Sequence, residues 1–265
     1  MDISKYYLAP GEQPLDTIRP DGGFFAILRT VACVGDSLAS GEMESLDADG
    51  NVGYHDMYEY SWGQFMARAA GVRVLNYSRG GMTAMEYCQS FARDNGYWNP
   101  SMACQAYILA LGVNDLLGLK MPLGSVADID PENPSNNADT FAGWYARIIQ
   151  GYKRIAPKAK FFLVGMPRST DHDDALAQDL TELLYRLSEF FENTYVIDLF
   201  RYAPAHDEKF HEVFYMGGHL NAMGYWIMAQ QIMSYIDFLI REKPEDFIQA
   251  AFLPQDDLHN VNYKW

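Results

Sequence analysis

Four short, mainly apolar runs punctuate the chain, at 30–34, 72–77, 106–111 and 160–165, and a fifth lies at 194–200. They are rich in β-branched and aromatic residues and lack the alternation of a half-exposed strand, which predicts strands buried on both faces. Between them apolar positions recur with helical spacing, at about 61–70, 82–94, 139–155 and 175–191, and a last helix is expected over about 221–241. Strands alternating with helices call for right-handed crossovers and a parallel sheet covered on both sides. The fold class is therefore α/β, a three-layer α/β/α sandwich around a parallel sheet of about five strands.

Some segments fall outside this rhythm. Residues 1–24 form an N-terminal extension that either wraps the core or borders a site, and the Pro- and Asn-rich stretch 122–139 reads as a surface loop. The tail 244–265 carries Phe247, Phe252, Leu253, Leu258 and Trp265, too much apolar surface for a free end, and is expected to pack back on the body. No repeat or linker divides the chain, which predicts a single domain over 1–265.

The 265 residues are 49% hydrophobic and 21% charged, which excludes disordered and fibrous classes. The formal charge of −15 repels phosphate backbones, and no basic cluster offers a local exception, so nucleic acid is not an expected partner. Anionic membrane surfaces are disfavoured on the same ground. The start of the chain has neither a basic nor an apolar leader region, and no apolar run approaches the roughly 20 residues of a membrane span, so a cytoplasmic location without membrane contact is expected. Cys33, Cys88 and Cys104 have no metal-like spacing and are odd in number, which predicts reduced, mostly buried thiols. Oligomeric state is not readable from these features.

In open parallel sheets ligands bind beyond the carboxyl ends of the strands, and chemistry-bearing residues recur there. Gly35-Asp36-Ser37-Leu38 follows the first run, Asn76-Tyr77-Ser78-Arg79-Gly80-Gly81 the second, and Gly112-Val113-Asn114-Asp115 the third. Gly217-Gly218-His219-Leu220-Asn221 lies between the fifth run and the last helix. This ordered set resembles the GDSL/SGNH hydrolases, whose four blocks are named for a Ser, a Gly, an Asn and a His, here Ser37, Gly81, Asn114 and His219. The resemblance runs from the first strand to the last helix and implies a flavodoxin-like SGNH hydrolase fold.

It also implies a serine esterase that needs no cofactor or metal. Ser37 would attack the ester carbonyl while His219 takes its proton and later returns it to the leaving alcohol. The Ser37 and Gly81 N–H groups and the Asn114 amide would form the oxyanion hole. Asp36 reads as a structural partner of its own loop. The family usually carries an Asp three residues before the histidine, but Met216 stands there. Three arrangements remain open: a backbone carbonyl near Met216 or Gly217 holds the ring, a carboxylate such as Glu212 or Asp171 substitutes, or the protein is inactive. The first, a Ser–His dyad, is the expectation.

Other motifs have plainer readings. Asn221 is expected to cap the last helix, and His172 among Asp171, Asp173 and Asp174 to sit in a solvated loop. His211-Glu212 begins like a zincin motif but has Tyr215 where the second histidine belongs. His55, His206 and His259 read as surface or structural residues. Tyr54, Tyr58, Tyr60, Trp62, Tyr97 and Trp98 fall in loops or helix starts and suit either sugar stacking or packing. The expected substrate is a small-molecule or carbohydrate ester with a short acyl group, acetyl above all. The alternatives are a lysophospholipase or thioesterase type of acylhydrolase, a metal-dependent phosphoesterase, and an impaired ligand-binding member.

Overall fold

The computed structural model describes residues 3–248. In chain order its strands are β1 (Thr30–Gly35), β2 (Glu42–Leu46), β3 (Val52–Asp56), β4 (Arg73–Ser78), β5 (Ala106–Ala110), β6 (Lys160–Val164), β7 (Thr194–Ile197), β8 (Tyr215–Met216) and β9 (His219–Leu220). The α-helices are α1 (Ser37–Ser40), α2 (Trp62–Ala70), α3 (Ala84–Glu86), α4 (Ala92–Asp94), α5 (Phe141–Ile155), α6 (Asp174–Phe190), α7 (Leu199–Tyr202), α8 (Glu208–Phe214) and α9 (Ala222–Glu242).

All five apolar runs become strands of one parallel sheet in the order β4-β1-β5-β6-β7. The chain leaves β1 towards β4 and then crosses to β5 on the other side. The carboxyl ends of β1 and β5 therefore frame the switch point where such sheets bind ligands. Along β1 the side chains alternate between the two layers. Val31 and Cys33 pack with α2 and α9, while Ala32 and Val34 face the layer of α5 and α6. Strands β1, β5, β6 and β7 are buried along nearly their whole length, which is why no polar alternation marks their runs, while the edge strand β4 is only partly covered.

The ends of elements shift for local reasons. The fifth run stops as a strand at Ile197, because Asp198 accepts the Arg201 N–H at 2.8 Å and caps α7. The helix over 82–94 is interrupted by a π-turn at Tyr87–Phe91 between α3 and α4. Asn221 caps α9, its Oδ1 accepting the Met223 and Gly224 N–H groups at 3.0 and 3.1 Å.

The N-terminal segment wraps the core along α9. Arg241 pairs with Glu12 at 2.7 Å and with Asp237 at 2.8 Å, Asp237 accepts the Phe24 N–H, and Ser234 accepts that of Arg19. Phe247 is buried against Phe162 and Tyr195; Phe252, Leu253, Leu258 and Trp265 lie outside the described residues. Cys33 and Cys104 are buried and Cys88 is half-buried, all as free thiols.

Two small antiparallel ladders had no counterpart in the apolar pattern: the β2–β3 hairpin and the two-residue pair β8–β9. The hairpin is mostly exposed along both strands, so no buried face stamps a hydrophobic period on it. Both ladders stand beside the carboxyl end of β1.

Candidate active site

Ser37 opens α1 immediately after β1, where its backbone N–H has no intrahelical acceptor. Asp36 caps that helix by accepting the Leu38 N–H at 3.2 Å. Asp36 is buried, and desolvation pushes its carboxyl up to about 7 against the pull of the Leu38 N–H. Its place is structural, as its position in the loop suggested.

Gly81 lies in the turn after β4, where the Met82 N–H bonds to the Arg79 carbonyl. Its φ is +70°, and a Cβ there would meet nothing within 4 Å. Glycine is thus required by the left-handed backbone and not by crowding. Asn114 follows β5 and opens a π-turn over Asn114–Gly118. Its Nδ2 donates to the Met82 carbonyl at 3.0 Å, tying the β5 loop to the β4 loop and leaving a second amide N–H free of that bond. Next to it the buried Asp115 accepts the Ala84 N–H with both oxygens, and burial raises its carboxyl to about 6.

His219 belongs to β9, directly opposite Met216 in the short β8–β9 ladder. Its Nδ1 lies 2.7 Å from Glu44 Oε1, and its Nε2 lies 3.3 Å from Glu42 Oε1. Neither a backbone carbonyl nor Glu212 or Asp171 orients the ring. Glu212 is exposed, and Asp171 pairs instead with His211 at 3.3 Å. The expected dyad is replaced by a carboxylate–imidazole pair whose acid comes from the hairpin.

The hairpin can deliver it because residues two apart on a strand share a face, so Glu42 and Glu44 project together towards the ring. Glu44 Oε1 also accepts the Gly218 N–H at 2.8 Å. Gly217 has φ +70°, and a Cβ on it would overlap Glu44 Oε2. The glycine pair before the histidine therefore makes room for the incoming carboxylate. The sequence placed Gly217-Gly218 in the His219 block without a reason for the pair and singled out neither glutamate. The legible signal was the alternating Glu42-Met43-Glu44 followed by Asp47-Ala48-Asp49-Gly50-Asn51, whose Asp47 closes the hairpin turn by accepting the Asp49 and Asn51 N–H groups.

Ser37, Asn114 and His219 line one cavity of about 370 Å³, whose wall includes Leu111, Val113, Leu117, Val164 and Met166. Gly81 is outside that lining and joins the site through the Met82–Asn114 bond. Among the described residues no hydrogen bond joins Ser37 Oγ to His219, whose Nε2 faces Glu42. Asp171, His172, His206 and Tyr215 also line the cavity. His206 is buried, and burial lowers its imidazole to about 4, so it is neutral and bonded through Nδ1 to the Tyr215 hydroxyl at 2.9 Å. His211 stacks on Tyr215 with centroids 3.9 Å apart. His55 Nε2 meets Ser45 Oγ at 2.8 Å, and His259 is outside the described residues. Among the described residues no group of three or more His, Cys, Asp or Glu side chains is arranged to hold a metal ion.

Most of the aromatic residues singled out for sugar contact are packing groups. Trp62 is buried, Tyr58 bonds to the Val74 carbonyl, Tyr97 stacks on Tyr77, and Trp98 packs on Tyr152. Tyr54 and Tyr60 are exposed, and Tyr54 stands edge-on to His219 with centroids 6.0 Å apart.

The arrangement thus offers a hydroxyl, an imidazole oriented by a carboxylate, and amide donors on the neighbouring strand ends. The profile of the GDSL-like lipase/acylhydrolase family matches residues 33–227, which holds every block just described. No curated protein matches the chain. Among solved structures it is similar to a family two carbohydrate esterase from Clostridium thermocellum in complex with cellohexaose, at 15% identity and a TM-score of 0.54, over 90% of this chain and 67% of that one. A family 2 carbohydrate esterase with a carbohydrate-binding domain from Corynascus thermopiles is similar at 16% identity and a TM-score of 0.54, over 80% of this chain and 66% of that one. At such identity these likenesses bear on the fold. Among the described residues no helix is long and apolar enough to cross a membrane.

Proposed function

The chain belongs to the GDSL-like lipase/acylhydrolase family of carboxylic ester hydrolases, and from that premise we propose that Ser37, His219 and Glu44 form its catalytic triad. Ser37 Oγ attacks the ester carbonyl while His219 Nε2 takes its proton. The imidazolium so formed is stabilised by Glu44 at Nδ1. The Ser37 and Gly81 N–H groups and the Asn114 amide receive the oxyanion. On collapse the proton passes from Nε2 to the leaving alcohol, and water repeats the cycle on the acyl-enzyme.

The observation that carries this reading is the 2.7 Å contact between Glu44 and His219 Nδ1. It leaves Nε2 as the nitrogen available for Ser37, once substrate draws the ring away from Glu42. Catalytic hydrogen bonds that are long or unmade in a free enzyme commonly tighten on binding. Purified protein is expected to hydrolyse p-nitrophenyl acetate and to be labelled by a fluorophosphonate, both insensitive to chelators. Ser37→Ala should abolish both. Unchanged hydrolysis in Ser37→Ala would sink the mechanism.

The preferred substrates are short acyl esters, including acetyl esters of carbohydrates. Support comes from the two carbohydrate esterases of similar fold and from Tyr54 at the mouth of the site. A second reading, hydrolysis of longer acyl groups, is favoured by the cavity itself, whose 370 Å³ and apolar wall exceed what an acetyl group fills. A series of p-nitrophenyl esters from acetyl to octanoyl separates them. kcat/KM falling with length supports the first reading, and kcat/KM rising with length supports the second.

A further inference from the structure

Glu42 has no part in the triad, yet its carboxylate stands at the nitrogen through which the reaction must pass. Its Oε1 lies 3.3 Å from His219 Nε2, and its side chain is 13% exposed. A Cβ on Gly80 would overlap its Oε2, so the carboxylate sits between the imidazole and the Gly80-Gly81 turn. Burial raises its carboxyl, His219 opposes that, and Asp56 and Glu44 add to it. Among the described residues, His219 is its only side-chain partner.

From this geometry we infer that Glu42 is a specificity-determining residue that accepts a hydrogen bond from a hydroxyl next to the scissile ester, on the alcohol side of the substrate. The inference rests on the triad proposed above. When His219 returns its proton, the leaving oxygen must stand within hydrogen-bond reach of Nε2, at about 3 Å. In the free enzyme Glu42 holds that nitrogen, and the ring leaves it on turning to Ser37, so the leaving oxygen stands beside the vacated carboxylate and a hydroxyl on the adjacent carbon falls within its reach. An ionised carboxylate only accepts hydrogen bonds, so it selects a donor and repels carboxylates and phosphates in the same place.

The apolar wall of Leu111, Val113 and Leu117 belongs to the cavity, whereas Glu42 lies outside the cavity lining. The acyl group therefore takes the cavity and the alcohol takes the Glu42 side. As His219 turns to Ser37, Glu42 loses its partner, and a half-buried carboxylate left unpaired carries a cost. A substrate hydroxyl replaces that partner, while a simple alkyl alcohol does not. Esters of polyols, glycerol and sugars alike, are the class so favoured.

The test compares a glycerol monoester with the propyl ester of the same acyl chain, using the chain length that the p-nitrophenyl series finds best. Wild type should favour the glycerol ester in kcat/KM, and Glu42→Ala should reduce that preference by about 10- to 150-fold, the range for hydrogen bonds to charged groups. Glu42→Gln keeps an acceptor oxygen and should retain part of the preference. An unchanged ratio in Glu42→Ala overturns the inference, whether both rates fall together, as for an orienting residue, or rise together, as for a competitor at Nε2. Fluorophosphonate labelling of Ser37 in the same preparations reads the triad separately. Protein that labels normally but has no glycerol preference overturns the Glu42 role alone, and protein that neither labels nor turns over overturns both.

Discussion

Glu44 can be taken apart in two steps, because one of its oxygens does two jobs. Oε1 faces His219 Nδ1 at 2.7 Å and accepts the Gly218 N–H at 2.8 Å. In Glu44→Gln the Gly218 N–H still demands an oxygen at that position, so the amide is held with its carbonyl towards the ring and the Nδ1–H tautomer survives. The charge alone is lost. Opposite charges about 4 Å apart at an effective dielectric of about 20 attract by about 4 kcal/mol, and partial exposure discounts this, so the expected loss is about 10²- to 10³-fold. Glu44→Ala removes both charge and orientation, and wrong-tautomer losses elsewhere reach about 10⁴-fold. The attraction is greatest when the ring is protonated in the transition state, so kcat should fall and KM should hardly move. The assay is steady-state hydrolysis of p-nitrophenyl acetate, with thermal melts confirming folded protein. If folded Glu44→Ala kept wild-type kcat, or if Glu44→Gln were the more damaged variant, this account of the triad would be refuted.

Further outcomes follow from the same geometry. Asn114→Ala should lower kcat by about 10²- to 10³-fold through the lost oxyanion donor, with KM little affected in steady-state assays. Gly217→Ala should cost about 1–2 kcal/mol in denaturant melts, because an L-residue is forced into the left-handed region, and its Cβ should displace Glu44 and cut activity as Glu44→Ala does. Full activity in Gly217→Ala would contradict that packing. Asp36 has a folded pKa of about 7, above its unfolded value of 3.8, so its contribution to stability is complete below about pH 4 and lost as pH rises through 7. Asp36→Asn escapes that loss, and its Tm relative to wild type should climb between about pH 4 and pH 7 and level off above; a flat difference would argue against burial as the cause. Leu117→Trp narrows the cavity and should lower kcat/KM for octanoyl more than for acetyl esters.

The layered fold was legible because the inner strands β1, β5 and β6 are buried on both sides and read as nearly continuous apolar runs. The Ser37, Gly81, Asn114 and His219 blocks were legible because each ends a strand or opens a turn. Glu44 was not. It sits on a hairpin too exposed to leave a hydrophobic period, and 175 positions separate it from the histidine it contacts. Its traces were the alternating Glu42-Met43-Glu44 ahead of the hairpin turn and, at the other end of the contact, two glycines whose lack of side chains is explained only when the carboxylate is seen against them. The aromatic residues misled for the opposite reason. Tyr97 and Trp98 lie in a polar-looking stretch, yet their rings fill a tyrosine-rich layer with Tyr77 and Tyr152.

The β2–β3 hairpin belongs to no other sheet, and its acid-bearing strand is tied to the body through the Gly218 amide and His219 ring on Glu44, the same ring on Glu42, the Tyr225 hydroxyl on the Glu42 carbonyl, and Met43 packed against the core. In the proposed triad, nucleophile and acid ride on one short stretch of chain, the nucleophile at the end of the inner strand β1 and the acid on the largely exposed hairpin. Heat should disarm the enzyme before it melts it, with catalysis fading as the hairpin lifts while the five-stranded sheet still stands.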